Sequence, residues 1–368
     1  MAEWIAPEWL FDGQRLHEGL ALQVRDGRVS AIGQARPEAR RLAGLLTPGF
    51  VDLQVNGGGG CLLNTTPTVA GMETIAAAHR RLGTVAILPT LITDAPEVLE
   101  ETVSAAISAQ GREGIIGLHI EGPHIAAIRR GTHDARFVRP MVERTLELVS
   151  ALREAGVRVM ITVAPEAVSD AQVARLAATG AVVSIGHSDA SAEQARAAVA
   201  AGARCFTHLF NAMSQMQNRE PGVVGAAINS AAHAGIICDG HHVADEMVAL
   251  AIRARPVPDR MFFVSDAMPT VGGPGSFALY GREIRVENGR LVNAEGSLAG
   301  AHVTMAESVA RAIKVLKLAP EMALRMAVSV PAELIGRPDL ATLEGRALSD
   351  IAHLSSDWTF DGYLDSLL

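Results

Sequence analysis

The chain has 368 residues, 49% hydrophobic and 20% charged, with a mean hydropathy of +0.22; this excludes a disordered chain and a minimal module, and leaves two to three domains or one large barrel with an appendage. Thirty-two basic against forty acidic residues give a net charge of −8, the wrong balance for a surface that tracks nucleic-acid phosphates. No apolar run approaches the roughly 18 residues that span a bilayer, and the opening MAEWIAPEWLFDG has acids where a secretory leader needs bases, so a soluble cytoplasmic protein with neither membrane nor nucleic-acid partners is expected.

In chain order, ALQVRDGRVSAIG places Asp26-Gly27 between two short alternating segments, a hairpin signal, and no helix is expected in the first forty-odd residues. From Thr47 onward, short apolar runs alternate with alanine-rich helical stretches, the rhythm of a parallel sheet. Eight such runs begin at Phe50, Val85, Ile115, Arg158, Ala181, Cys205, Gly235 and Met261, and eight is the number that closes a (β/α)8 barrel. Between them, TVAGMETIAAAHRRL, APEVLEETVSAAISA and SAEQARAAVAA suit amphipathic helices, the last opening with Ser191 three before Gln194 as a capping box.

After the eighth run, REIRVENGRLV carries an Asn288-Gly289 hairpin before a helix near His302, which reads as an insertion in the last loop of the barrel. The tail turns short-periodic again. The expected fold is therefore α/β: a TIM-like barrel over 48–335, with a small β-sandwich domain built from residues 1–47 and 336–368.

Cys61, Cys205 and Cys238 are odd in number and form no CxxC pair, which argues against a disulfide framework and suits a reducing compartment. Aromatic residues are only 4%, too few for the stacked rings that grip a sugar polymer.

In a (β/α)8 barrel, chemistry sits where strands end and the following loops begin. The polar interruptions fall there: Gln54 and Asn56 on the first run, His119 and Glu121 on the third, His187 on the fifth, His208 and Asn211 on the sixth, Asp239, His241 and His242 on the seventh, and Asp266 on the eighth. Any one of these alone reads as a satisfied core polar group. Glu121, His187 and His208 together offer one carboxylate and two imidazoles from three strand ends, the ligand count of a catalytic divalent metal that keeps a position open. Asp266 suits a general base, with a helix cap or an ion pair as its plainer reading. His119 lies two residues before Glu121 on the same face of its strand, and a supporting role is expected of it. The first run lacks His-x-His, and there is no lysine before Lys314 to serve as a carboxylated bridge; one metal is inferred, not two. The four glycines Gly57 to Gly60 read as a tight turn before a helix rather than a phosphate loop, because neither phosphate-loop spacing is present. Arg219, in NREPG, offers a bidentate fork to a phosphate, against the default of a surface arginine.

These segments resemble the N-acetylglucosamine-6-phosphate deacetylases of the amidohydrolase superfamily. The resemblance runs from about Thr47 to about Ala306 and rests on TPGFVDLQVNGGGG, LPTLITD, LHIEGPH, GTH at Gly131, GHSDA, THLFNAM, REPG, DGHHV, SDAMP and SLAG, in family order. It implies hydrolysis of the acetamide of N-acetyl-D-glucosamine 6-phosphate, with the galactosamine epimer or another small anionic amide as alternatives. It further implies one divalent metal per chain on Glu121, His187 and His208, zinc before iron, manganese or cobalt, with Asp266 as proton donor and acceptor. His133 would help to polarise the acetyl carbonyl, beside Thr132. Asn211 and Ala212, through backbone N–H groups, and Arg219 would contact phosphate and sugar. Asp239, Gly240, His241 and His242 would form a substrate loop, and Leu298, Ala299 and Gly300 a far wall. Gln54 and Asn56 stand where two-metal relatives carry His-x-His, which leaves a vestigial second metal site imaginable. A homodimer, with the region of Arg219 near the partner, is the family expectation.

Overall fold

The computed structural model describes residues 3–293 and 298–368; Ser297, the first residue of SLAG, lies outside them. Eight parallel strands follow one another in sequence order: Phe50–Val55, Thr84–Ile92, Gly117–Glu121, Arg158–Val163, Val182–Ile185, Cys205–Phe206, His233–Ile236 and Met261–Phe263. Closure is made just beyond the strand ends, where Asp266 N–H donates to the Gln54 carbonyl at 3.0 Å and Asn56 N–H to the Ala267 carbonyl at 2.9 Å. Apolar residues such as Val51, Leu53, Leu118, Ile120, Ile161, Val183, Phe206, Ile236 and Phe262 are buried on both faces of this sheet, as a parallel sheet covered by helices requires.

The helices form where the sequence supplies their ends. Ser191 accepts the N–H of Gln194 and Gln194 returns to the Ser191 N–H, the expected capping box, ahead of helix Ala192–Ala200. Thr304 and Glu307 do the same for Met305–Lys314. The seventh strand begins and ends earlier than the apolar run suggested. The Asp239 carboxylate accepts the N–H groups of both His241 and His242 at 2.8 Å, and Gly240 has φ +75; this Asx-type turn breaks the ladder and leaves DGHH as a loop.

Both hairpin signals hold. Asp26-Gly27 and Asn288-Gly289 all have positive φ, the backbone that a two-residue hairpin turn demands. Glu3–Phe11, Leu16–His17, Leu20–Arg25, Arg28–Gln34 and Arg40–Pro48 combine with Ile351–Leu354 and Phe360–Tyr363 from the other end of the chain into one seven-stranded sheet. Its core is Ile5, Leu10, Leu22, Val29, Leu46, Leu348, Ile351 and Leu364. The insertion after the eighth barrel strand is a three-stranded antiparallel sheet, Ser276–Leu279, Arg282–Glu287 and Arg290–Asn293.

Candidate metal centre and active site

Three ligand-type atoms converge at the C-terminal end of the barrel. His187 Nε2 lies 3.1 Å and His208 Nε2 3.0 Å from Glu121 Oε1, and the two ring nitrogens are 3.0 Å apart. All three residues are buried. His187 and His208 have φ of 49° and 28°, and Phe210, Ala212 and Asp266 also have left-handed backbone, at 78°, 49° and 50°. Such conformations cost about 1–3 kcal/mol each outside glycine and persist where the surroundings hold them, often at functional sites. Here the hold on His187 is visible: its Nδ1 lies 2.9 Å from the Arg129 carbonyl, and its own carbonyl accepts the Ala126 N–H at 2.8 Å.

That contact fixes the tautomer of the ring. A carbonyl oxygen only accepts, so Nδ1 of His187 carries a hydrogen, and Nε2 is the nitrogen free to offer a lone pair to a ligand. The lone pair faces a carboxylate oxygen and a second imidazole nitrogen at about 3 Å. One carboxylate oxygen and two imidazole nitrogens converging within about 3 Å of one another in a buried site, with His208 Nδ1 left without a partner, are a donor set that fits a divalent metal. Burial pushes the Glu121 carboxyl up, but the close approach of the His187 and His208 rings outweighs it and holds Glu121 well below the usual carboxylate range. Asp266 is shifted upward, by burial first and by the Glu121 charge second.

His133 stands on the same side, and its ligand atom lies within 4.8 Å of those of Glu121 and His187. Thr93 grips it twice: the Thr93 N–H donates to His133 Nδ1 at 3.3 Å, and Thr93 Oγ1 lies 2.7 Å from that nitrogen. Because Nδ1 receives a main-chain N–H, the neutral ring carries its own hydrogen on Nε2. Burial, with the neighbouring His187, keeps His133 well below its ordinary pKa and therefore neutral.

Gln54 and Asn56 approach with their donor ends. Gln54 Nε2 reaches Glu121 Oε1 at 3.0 Å and Asp266 Oδ1 at 3.2 Å, and Asn56 Nδ2 reaches Asp266 Oδ1 at 2.7 Å. Their amide oxygens, Gln54 Oε1 and Asn56 Oδ1, are buried with no hydrogen-bond partner. His119 is buried beneath, bonded to the Leu53 carbonyl at 3.1 Å and the Thr162 hydroxyl at 2.8 Å. Burial lowers its pKa to about 4.

A cavity of about 170 Å3 opens above these groups. Glu121, His187, His208, Asp266, His133 and Asn56 line it together with Thr132, Asn211, Ala212, His242, Leu298 and Gly300. Behind His242 stands Asp239, 2.6 Å from its Nδ1; although burial opposes it, the His242 hydrogen bond and charge bring Asp239 down to about 2. Gly240, His241 and Ala299 lie outside the lining, and Ala299 is packed into the apolar cluster of the insertion. Arg219 is exposed on the loop after the sixth strand and does not reach the cavity. The main-chain N–H of Asn211 is already donated to the His208 carbonyl at 3.0 Å. Of the two N–H groups expected to face a ligand, therefore, only that of Ala212 lacks a protein partner among the described residues.

The sequence gives no role to Thr93, to the Arg129 carbonyl, or to Ile92, Gly131 and Met268, which complete the wall. Thr93, a hydroxyl directly after an apolar strand, was a local signal. The Arg129 carbonyl had none. Gly57 to Gly60 do form a turn: Gly57 and Gly58 pair with Leu62 and Cys61, and a Cβ at Gly57 would meet the Cys61 carbonyl at 2.5 Å.

Comparison with known proteins agrees with this geometry. The sequence matches the amidohydrolase family over residues 45–362. The chain belongs to the amidohydrolase family. Among curated relatives, it is 39% identical to the N-acetylgalactosamine-6-phosphate deacetylase of Shewanella sp. (strain ANA-3), covering 93% of this chain and 89% of the relative. It is 34% identical to the N-acetylglucosamine-6-phosphate deacetylase of Haemophilus influenzae, covering 86% and 84%. Among solved structures, this amidohydrolase superposes with a TM-score of 0.88 and 31% identity, covering 98% and 96% of the two chains, on a mutant N-acetyl-D-glucosamine-6-phosphate deacetylase from Mycobacterium smegmatis in complex with N-acetyl-D-glucosamine-6-phosphate.

Proposed function

We propose that this amidohydrolase hydrolyses the acetamide of N-acetyl-D-glucosamine 6-phosphate to D-glucosamine 6-phosphate and acetate. The observation that carries the reading is the convergence of Glu121 Oε1, His187 Nε2 and His208 Nε2 beneath a cavity that Asp266 and His133 also face. The names of the relatives supply the substrate class. Glu121, His187 and His208 would hold one divalent ion, with zinc the first choice for a Glu-His-His set and iron, manganese or cobalt served by the same donors. When bound, such an ion supplies Lewis acidity to the acetyl carbonyl and to the attacking water.

The protein's own groups do the rest. Asp266 Oδ1 is occupied by Gln54 and Asn56, which leaves Oδ2 to take a proton from the water as its oxygen bonds to the acetyl carbon. The Nε2–H of His133 donates to the carbonyl oxygen as charge develops there. Asp266 then returns the proton to the amine nitrogen as the C–N bond breaks and acetate leaves. No arginine or lysine among the described residues lines the cavity, while Arg219 is exposed nearby in sequence to the sixth strand; this supports a homodimer in which Arg219 meets the phosphate across the interface. Three free thiols, Cys61, Cys205 and Cys238, support a reducing, cytoplasmic setting, and no helix among the described residues is long and apolar enough to cross a membrane.

The galactosamine epimer is the second reading, favoured by the 39% identity to the Shewanella relative. Acetate release from the two epimers, compared as kcat/KM on metal-loaded protein, decides between them. Release from neither would overturn both.

A further inference from the structure

At the opposite end of the barrel three arginines share one small cavity. Arg158 opens the fourth strand and Arg204 immediately precedes the sixth, so both stand on the N-terminal rim, away from the strand end that bears Glu121. Arg153, near the end of helix Glu143–Glu154, leans in beside them over a cavity of about 240 Å3.

Their hydrogen bonds are few. Arg153 donates from Nη1 to the Val157 carbonyl at 2.7 Å and from Nε to the Thr179 carbonyl at 3.3 Å, and Arg204 makes a long contact of 3.4 Å from Nη2 to the Leu334 carbonyl. Arg158 donates no side-chain hydrogen bond, and none of the three forms an ion pair, among the described residues. Arg80 and Arg337, which share a neighbouring cavity with Arg158, are each matched to a carboxylate. The one acid lining the cavity, Glu333, is exposed and pairs with none of them, so three guanidinium groups and one carboxylate leave an excess of positive charge in a chain that is acidic overall. Burial, and then the charges of Arg158 and Arg204, lower the pKa of Arg153, in keeping with the three standing close together.

The backbone makes room for them. A Cβ at Gly180 would come within 3.2 Å of Arg153 Nη2, and one at Gly336 within 3.2 Å of Arg158 Nη1; both glycines have positive φ. Capping of helix ends by arginine is the plainer account of Arg153 and Arg204, but it leaves Arg158 without any role.

We propose that this rim binds a phosphate-class oxyanion, either orthophosphate or the phosphoryl group of a small metabolite. Guanidinium forks match the oxygens of a phosphate two at a time, and a recess walled by three of them supplies both charge and directed donors. The site is independent of the catalytic cavity and stands or falls without the proposed activity.

The test is thermal unfolding of the metal-loaded, full-length protein with increasing orthophosphate, against sodium chloride at equal ionic strength. The wild type is compared with Arg158→Gln and with Arg204→Gln, whose exposed side chain can be replaced without disturbing the core. A saturable rise in Tm with phosphate is expected, with apparent Kd weakened about tenfold or more in each variant and acetate release unchanged. An identical phosphate response in the wild type and in Arg204→Gln would place the anion elsewhere and overturn the proposal, as would a wild-type response no larger than that to chloride. Repeating the titration with D-glucose 6-phosphate identifies the source: tighter binding than orthophosphate, lost in the variants, marks a phosphorylated metabolite, and equal binding marks free phosphate.

Discussion

Nε2 of His187 and Nε2 of His208 face each other at 3.0 Å over the same carboxylate oxygen of Glu121. The Arg129 carbonyl claims a hydrogen of the His187 ring at Nδ1, so in the neutral ring the Nε2 lone pair faces this cluster. The arrangement fits a divalent cation among the three ligand atoms, and on that reading the stability of the barrel's catalytic end is linked to metal.

Removing the metal by chelation should lower Tm and abolish acetate release together. A ligand held at about a thousand times its Kd stabilises by about 4 kcal/mol, which predicts a fall of several degrees. Re-addition of zinc, iron, manganese or cobalt, one at a time with metal content quantified, should restore both readings at about one ion per chain. Full activity in metal-free protein would contradict the assignment of Glu121, His187 and His208.

Asp266→Asn should retain metal content and substrate binding while losing about 100-fold to 10,000-fold in kcat, the range that positioned proton transfer supplies. Single-turnover acetate release and substrate titration separate the two effects. Near-normal kcat would remove Asp266 from the proton path.

Thr93 holds His133 through both its N–H and its hydroxyl. Thr93→Val keeps the N–H contact and loses the hydroxyl, and should lower kcat by about tenfold to 100-fold with KM little changed, in line with the loss of an orienting partner. Thr93→Ser should rescue it. A KM effect alone would show that Thr93 shapes the pocket instead of aiming the ring.

Acid should destabilise the fold through buried neutral histidines. Burial lowers His79 and His124 from 6.5 to about 4. Between those values the unfolded chain binds the proton and the folded chain does not, so stability is fully present above about pH 6.5 and falls as pH drops towards 4. Each contributes on the order of 3 kcal/mol across that window. His79 lies 2.9 Å from the Gly57 carbonyl, and His79→Gln should keep a donor there while flattening the acid limb of a denaturation series between pH 6.5 and 4. An unchanged slope would mean that His79 is not titrating on unfolding.

The barrel was legible because each strand is a short apolar run bounded by helical sequence, and the strand ends were legible because Glu121, His187, His208 and Asp266 interrupt those runs. What escaped was set by contacts distant in sequence. Thr93 meets His133 forty residues on, and the Arg129 carbonyl orients His187 fifty-eight residues on; a main-chain oxygen leaves no residue-type signal at all. Asn211 was assigned a free N–H, but the turn that brings it to the cavity consumes that group on His208. The seventh apolar run outlasts its strand, which ends at Ile236, because Cys238 continues the run whereas Asp239 caps the turn with its carboxylate. Arg219 was identifiable as a phosphate-type residue, yet its distance from the cavity depends on how its loop folds.

The most direct test of the account is acetate release from N-acetyl-D-glucosamine 6-phosphate beside unphosphorylated N-acetyl-D-glucosamine, using protein of known metal content. The account predicts rapid, metal-dependent release from the phosphorylated sugar and a kcat/KM lower by at least about 100-fold without the phosphate, the scale on which a lost charged contact discriminates. Equal rates on both sugars would contradict it, because the substrate would then be recognised without its phosphate.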